Sequence, residues 1–171
     1  MYSYFAVLHA ELSLSIKHRY ALSHFLSSPE FDYALVLEDD ALVLPASMSV
    51  VSDLAEYLSA SSFSGAVYID LSSGCNLSVV NLLPPIHNLS SGASLYSPPF
   101  PSSRTTCAYL INRAFAEAFL GVFISPQAPI DYEYMFTLTC LQRDQMLSAC
   151  LWTEPNAFFH GSKGRSMSSL I

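Results

Sequence analysis

Charge is the scarcest commodity in this chain of 171 residues: only 12% are Asp, Glu, Lys or Arg, and the basic residues number seven against fourteen acids. So small a basic complement excludes a nucleic-acid partner, because gripping a phosphate backbone requires a surface rich in Lys and Arg. Long apolar runs are missing as well. None approaches the length of about 18 residues that spans a bilayer, although half of the chain is hydrophobic. The opening Met1–Leu8 lacks the basic flank of a secretory leader. The four cysteines, Cys75, Cys107, Cys140 and Cys150, form no C-x-x-C pair and no zinc-type cluster, so they read as reduced, mostly buried thiols. Internal repeats and an evident domain boundary are also lacking, which leaves one domain over 1–171 with a substantial core. The expected location is the cytoplasm, or the surface of a membrane without crossing it.

Against this low-charge background one stretch stands out. In Tyr33-Ala34-Leu35-Val36-Leu37-Glu38-Asp39-Asp40 an unbroken apolar run ends in three adjacent carboxylates. Apolar residues without alternation suit a central strand of a parallel sheet, covered on both faces. Three acids at its end repel one another unless a cation or a set of backbone N–H donors lies among them. Ligands of open α/β sheets bind beyond the carboxyl ends of strands, so a hard divalent ion fits both the position and the charge. An acidic turn is the competing account.

The remaining pattern alternates helices and strands. Leu8, Leu12, Ile16 and Tyr20 recur at helical spacing and predict an amphipathic helix from Leu8 to Leu26, ended by Ser27-Ser28-Pro29. Met48, Val51, Ala55 and Leu58 predict a second helix, to about Ser59. Ala66–Ile69 reads as a buried strand ending in Asp70, and Thr105–Ile111 as a third. Asn112 is a candidate cap for a helix over Arg113–Leu120. Asp131 is another candidate cap, for a helix reaching Arg143. Leu147–Trp152 is expected as the last strand, before a polar tail. Between them, 72–103 is rich in Ser and Pro and reads as hairpins and loops, of the kind that often forms a functional lid.

Several of these pieces, in this order, resemble the family 25 glycosyltransferases, which include lipopolysaccharide and collagen galactosyltransferases. Glu11–His18 is similar to the family's E-I-G-C-x-L-S-H helix, with Ser13, Leu14 and Lys17 departing from it. Ala34–Asp40 looks like its A-L-I-L-E-D-D, and Thr106–Ile111 resembles its G-T-x-A-Y-L-I. Pro129-Ile130-Asp131, and Glu154-Pro155 followed by His160-Gly161-Ser162, match later pieces.

The resemblance implies an α/β fold of the GT-A type, a Rossmann-like sandwich with a mostly parallel sheet. Members usually begin with a further strand and helix that hold the nucleotide, so an N-terminally truncated domain, or a partner chain completing the fold, is expected. The implied activity is metal-dependent inverting transfer of a hexose such as galactose. The donor would be a nucleotide sugar, UDP-linked in the simplest case, and the acceptor a glycan, lipopolysaccharide or protein hydroxyl. Glu38, Asp39, Asp40 and His160 become the set for Mn2+ or Mg2+, with Asp40 in direct contact, Asp39 near the ribose or the ion, and Glu38 orienting its neighbours. Arg104 and Lys163 are expected at donor phosphates, and Tyr68, Asp70 and Tyr109 around the acceptor. Asp131 is the expected base or a helix cap, with Glu133 as the alternative base. His18 reads as a core histidine bonded to a nearby loop. Two other functions stay open: an inactive remnant of this fold that binds a glycan or a partner, and a domain in which the acids hold a structural calcium.

Overall fold

The computed structural model describes residues 9–72, 78–122 and 125–161. Within them the chain runs α1 (His9–Leu26), β1 (Tyr33–Leu37), β2 (Ala41–Val43), α2 (Ser47–Ala60) and β3 (Ala66–Asp70). It continues through β4 (His87–Asn88), β5 (Ser94–Tyr96), β6 (Ala108–Asn112), α3 (Arg113–Val122), α4 (Ile130–Arg143), β7 (Leu147–Glu154) and β8 (Phe158–His160). Six strands form one sheet in the order β1-β6-β3-β7-β5-β4, and β2 pairs with β8 in a separate ribbon. No helix among the described residues is long and apolar enough to cross a membrane.

The α/β class holds, but the expected mostly parallel sheet does not. Among the described strands only β3 and β7 pair in parallel, while β6 lies antiparallel between β1 and β3, and β5 is antiparallel to β7. Because β6 opposes both neighbours, β1, β3 and β7 nevertheless share one direction. The expected central place of β1 is also corrected, since it is an edge strand. Its apolar run has another cause. Tyr33 and Leu35 pack against the core on the α2 side, and Ala34 and Val36 against the core formed with α1, α3 and α4. Missing alternation therefore reports helices on both faces and says nothing about the direction of neighbours.

Two helices bury a face other than the one expected. In α1 the inward residues are Ser15, His18, Leu22 and Phe25, whereas Ile16 and Tyr20 are 53% and 75% exposed. The buried phenol of Tyr109, bonded to His18, offsets the cost of taking a polar ring inside, a term that apolar periodicity does not register. In α2 the buried face is Ser47, Val50, Leu54 and Leu58, and Met48 is exposed. There the Ser47 hydroxyl accepts from Leu44 N at 2.8 Å and donates to the carbonyl of Ala157, so it is a joint between α2 and the chain ahead of β8.

Asn112 does cap α3: its Oδ1 accepts from Phe115 N at 3.1 Å and from Val67 N at 2.9 Å. Asp131 does not cap α4, whose cap position is Pro129; it lies inside the first turn. The 72–103 stretch contributes the β4/β5 hairpin, which widens the sheet beyond β7. Its turn needs Gly92, at φ +91°, and is tied to α2 by Asp53, which accepts from Ser90 Oγ and Ser91 N. Cys107, Cys140 and Cys150 are free thiols, and Cys75 lies outside the described residues.

Gly65 sits where the strand β3 begins against β7. Its N–H donates to Ser148 Oγ at 2.7 Å, and a Cβ there would collide with the carbonyl oxygen of Met146 and stand 2.9 Å from that hydroxyl. Gly65→Ala is therefore expected to lower stability by about 1–3 kcal/mol, read as a reduced urea midpoint at unchanged m-value.

Candidate metal and carboxylate site

Pairing of β1 with β6 continues one residue past the strand, where Glu38 N donates to Cys107 O at 2.9 Å. The chain then turns tightly, with Ala41 N bonded to Glu38 O at 3.1 Å, and enters β2. β2 meets β8 with Ala41 opposite His160, and Gly161 N donates to Asp40 O at 2.8 Å. This short ribbon was not foreseen in the expected polar tail, yet it is what sets an imidazole over the acids.

Glu38, Asp40 and His160 each offer a ligand atom, and these atoms lie within 4.8 Å of one another. His160 Nδ1 is 3.1 Å from Asp40 Oδ2, and His160 Nε2 is 4.0 Å from a Glu38 oxygen. Asp40 is 38% exposed as a side chain, but its Oδ1 is buried without a hydrogen-bond partner. An unpaired carboxylate oxygen at such a spot carries a desolvation cost that a hard cation would relieve. Two carboxylates and one imidazole also form a donor set suited to a divalent ion. Asp39, expected with them, turns away: it is 88% exposed and pairs with Lys17 at 3.7 Å.

Glu38 is more deeply set than its neighbours. One oxygen accepts from Thr106 Oγ1 at 2.7 Å and from His18 Nε2 at 3.4 Å. Burial pushes its carboxyl upward, but those hydrogen bonds, with the nearby imidazoles of His18 and His160, outweigh burial and leave it below the ordinary value. Asp131 joins the group from α4. It keeps an exposed face, yet desolvation by its neighbours raises its carboxyl, contacts from Thr106 oppose the shift, and the charge of Glu38 adds to it. Thus a carboxylate held ionised and a carboxyl held toward its neutral form face the same threonine. Glu133, the alternative base, is occupied elsewhere, accepting from Arg19 at 2.8 Å and from Gln127 N at 2.6 Å.

Beside these groups a cleft of about 240 Å3 opens between α1 and the end of β1. Leu14, Ala21, Val36 and Leu37 form its apolar wall, and Lys17, His18, Glu38 and Asp39 its polar end.

The other expected positions lie apart. Arg104 is no surface group for phosphate. It is fully buried, donating to Glu154 at 2.7 Å and Asp70 at 3.3 Å, with its guanidinium 4.7 Å over the Trp152 ring. Asp70, expected at the acceptor, is the sealed partner of that arginine and also accepts from Arg104 N at 2.6 Å. Tyr68 bonds Ser103 Oγ at 2.6 Å inside the core, and the Tyr109 hydroxyl lies between His18 and Tyr134. None of these four side chains has an open face for a substrate. The loop before β6 covers two of them, with Ser103 Oγ on the Tyr68 hydroxyl and Arg104 N on Asp70. Lys163 lies outside the described residues. Thr106 and Lys17 were not singled out from the sequence; only the β1/β6 register reveals that Thr106 stands beside Glu38.

The buried ion cluster gives a direct test. Burial pushes the Asp70 carboxyl up to about 6 even with Arg104 beside it. Arg104→Met should cost about 3–5 kcal/mol at pH 8, because two carboxylates lose their partner. A raised carboxyl keeps its proton at acid pH and loses it as pH rises through the folded value, so the penalty should shrink at pH 5. Urea titrations of both proteins at the two pH values measure this. No family model matches the chain, and no curated protein does.

Proposed function

We propose that the chain is a metal-dependent inverting glycosyltransferase that moves a hexose from a nucleotide-diphosphate sugar, most simply UDP-linked, to a hydroxyl of a glycan, lipopolysaccharide or protein. The observation that carries this reading is the convergence of Glu38, Asp40 and His160 within 4.8 Å, next to an open cleft and a third carboxyl, that of Asp131, which shares Thr106 with Glu38. Glu38, Asp40 and His160 would hold Mn2+ or Mg2+, which when bound supplies positive charge to a leaving diphosphate. Lys17 and Asp39, at the polar end of the cleft, would meet the donor's ribose and phosphates. In the transfer the acceptor oxygen bonds to the anomeric carbon as the bond from that carbon to the diphosphate breaks. The hydroxyl proton passes to Asp131, whose affinity for a proton is raised by desolvation and by the charge of Glu38, the property that a general base needs.

A second reading, a binding module of the same fold without turnover, is favoured by the burial of Arg104, Tyr68, Asp70 and Tyr109. Calorimetric titration separates the two. For the transferase, UDP is expected to bind only with Mn2+ present, and Asp40→Asn should weaken that binding at least about 10-fold. Unchanged UDP affinity in Asp40→Asn would contradict the assigned metal site, and metal-dependent UDP binding without sugar transfer would favour the module.

Asp131→Asn distinguishes a base from a structural carboxylate. The variant should lose about 10²- to 10⁴-fold in turnover with UDP binding retained. Unaltered turnover in the folded variant would remove Asp131 as the base.

A further inference from the structure

A chain of buried hydroxyls ends on the metal-facing glutamate. His18 is almost wholly inside the protein, with Nδ1 2.7 Å from Tyr109 Oη, and Tyr109 Oη is 2.6 Å from Tyr134 Oη. The His18 and Tyr109 rings stack at 5.6 Å between centroids. On its other side His18 Nε2 meets Glu38 Oε1, the oxygen that already accepts from Thr106. Three elements, α1, β6 and α4, and the residue that follows β1 each supply one member.

Donor and acceptor roles follow from the chemistry. An ionised carboxylate only accepts, so Nε2 carries the proton, and in the neutral form of the ring Nδ1 is then the acceptor. Tyr109 donates to Nδ1, which leaves its oxygen to accept the hydroxyl proton of Tyr134. One direction runs from Tyr134 through Tyr109 and His18 to Glu38. A histidine that served only to fill the core would need no such ordering, and its second nitrogen would not reach a carboxylate at the mouth of a cleft.

We propose that His18 is a positioning residue for the metal site, fixed in its Nε2–H tautomer by Tyr109 and Tyr134. Together with Thr106 it occupies Glu38 Oε1 and leaves Oε2 as the oxygen turned to His160. Outer partners of this kind orient a ligand and set its basicity, and their loss usually costs 10- to 100-fold in metal affinity. The inference rests on the reading that Glu38, Asp40 and His160 hold a divalent ion.

The experiment is manganese titration of the full chain, followed by calorimetry, with circular dichroism and thermal melting as checks on folding. His18→Phe should bind manganese about 10- to 100-fold more weakly. His18→Gln, whose amide both donates and accepts, should recover most of the loss, an outcome that a purely packing role does not give. Tyr109→Phe, which keeps the ring and deletes the donor to Nδ1, should produce a smaller loss. Nitrogen-15 spectra of the wild type should show the Nε2–H form of His18, a readout independent of whether His18→Phe folds. A manganese affinity unaltered in folded His18→Phe, or an Nδ1–H tautomer, overturns this proposal alone. Wild-type protein that binds no manganese overturns the metal reading and this proposal with it.

Discussion

The antiparallel pairing of β1 with β6 governs the site. Its last bond, from Glu38 N to Cys107 O, locks the first acid beside Thr106 and under His18. The next three residues then have no freedom to wander: the turn from Glu38 O to Ala41 N sends Asp39 outward and Asp40 toward β8. A slip of one residue in this pairing would exchange the two core faces of β1 and move Glu38 away from its donors at once. The helices on both faces resist such a slip, because Tyr33 and Leu35 fit one core, and Ala34 and Val36 the other.

Electrostatics divides the acids of this chain into two kinds. Asp70 and Glu154 are spent on Arg104, inside the fold and away from any opening. Glu38 and Asp40 are left near a cleft, with hydrogen-bond donors to the first and an unpaired oxygen on the second. Burying Arg104 stabilises the joint between the loop before β6 and β7, and it removes a cation that could otherwise neutralise the open acids. Lys17, which lines the cleft, pairs with Asp39 instead.

Much of the element order was legible in the sequence because apolar spacing is a local signal: α1, α2, β1, β3, β6, α3, α4 and β7 lie close to where periodicity puts them. What spacing cannot convey is who stands next to whom. The direction of β6, the edge position of β1 and the β2/β8 ribbon depend on contacts between distant residues, and β2 and β8 are too short to show a period. The inward faces of α1 and α2 were misjudged for a related reason, since His18 and Ser47 are polar residues whose partners lie far along the chain. At the site, Glu38, Asp40 and His160 were visible as chemistry at suggestive places. Thr106 and the link from His18 to Glu38 needed the register, and Arg104 misled because a lone arginine in sequence gives no hint of two buried acids waiting for it.

The β2/β8 ribbon has a topological consequence. Asp40 and His160 come from opposite ends of the described chain, and they meet only when the segment after β7 has returned to lie against β2. An ion shared between them would act as a clasp across a very long loop, and closing a long loop is where a cross-link recovers the most chain entropy in principle. Ligand affinity at this place is then also a gauge of whether the returning segment is docked.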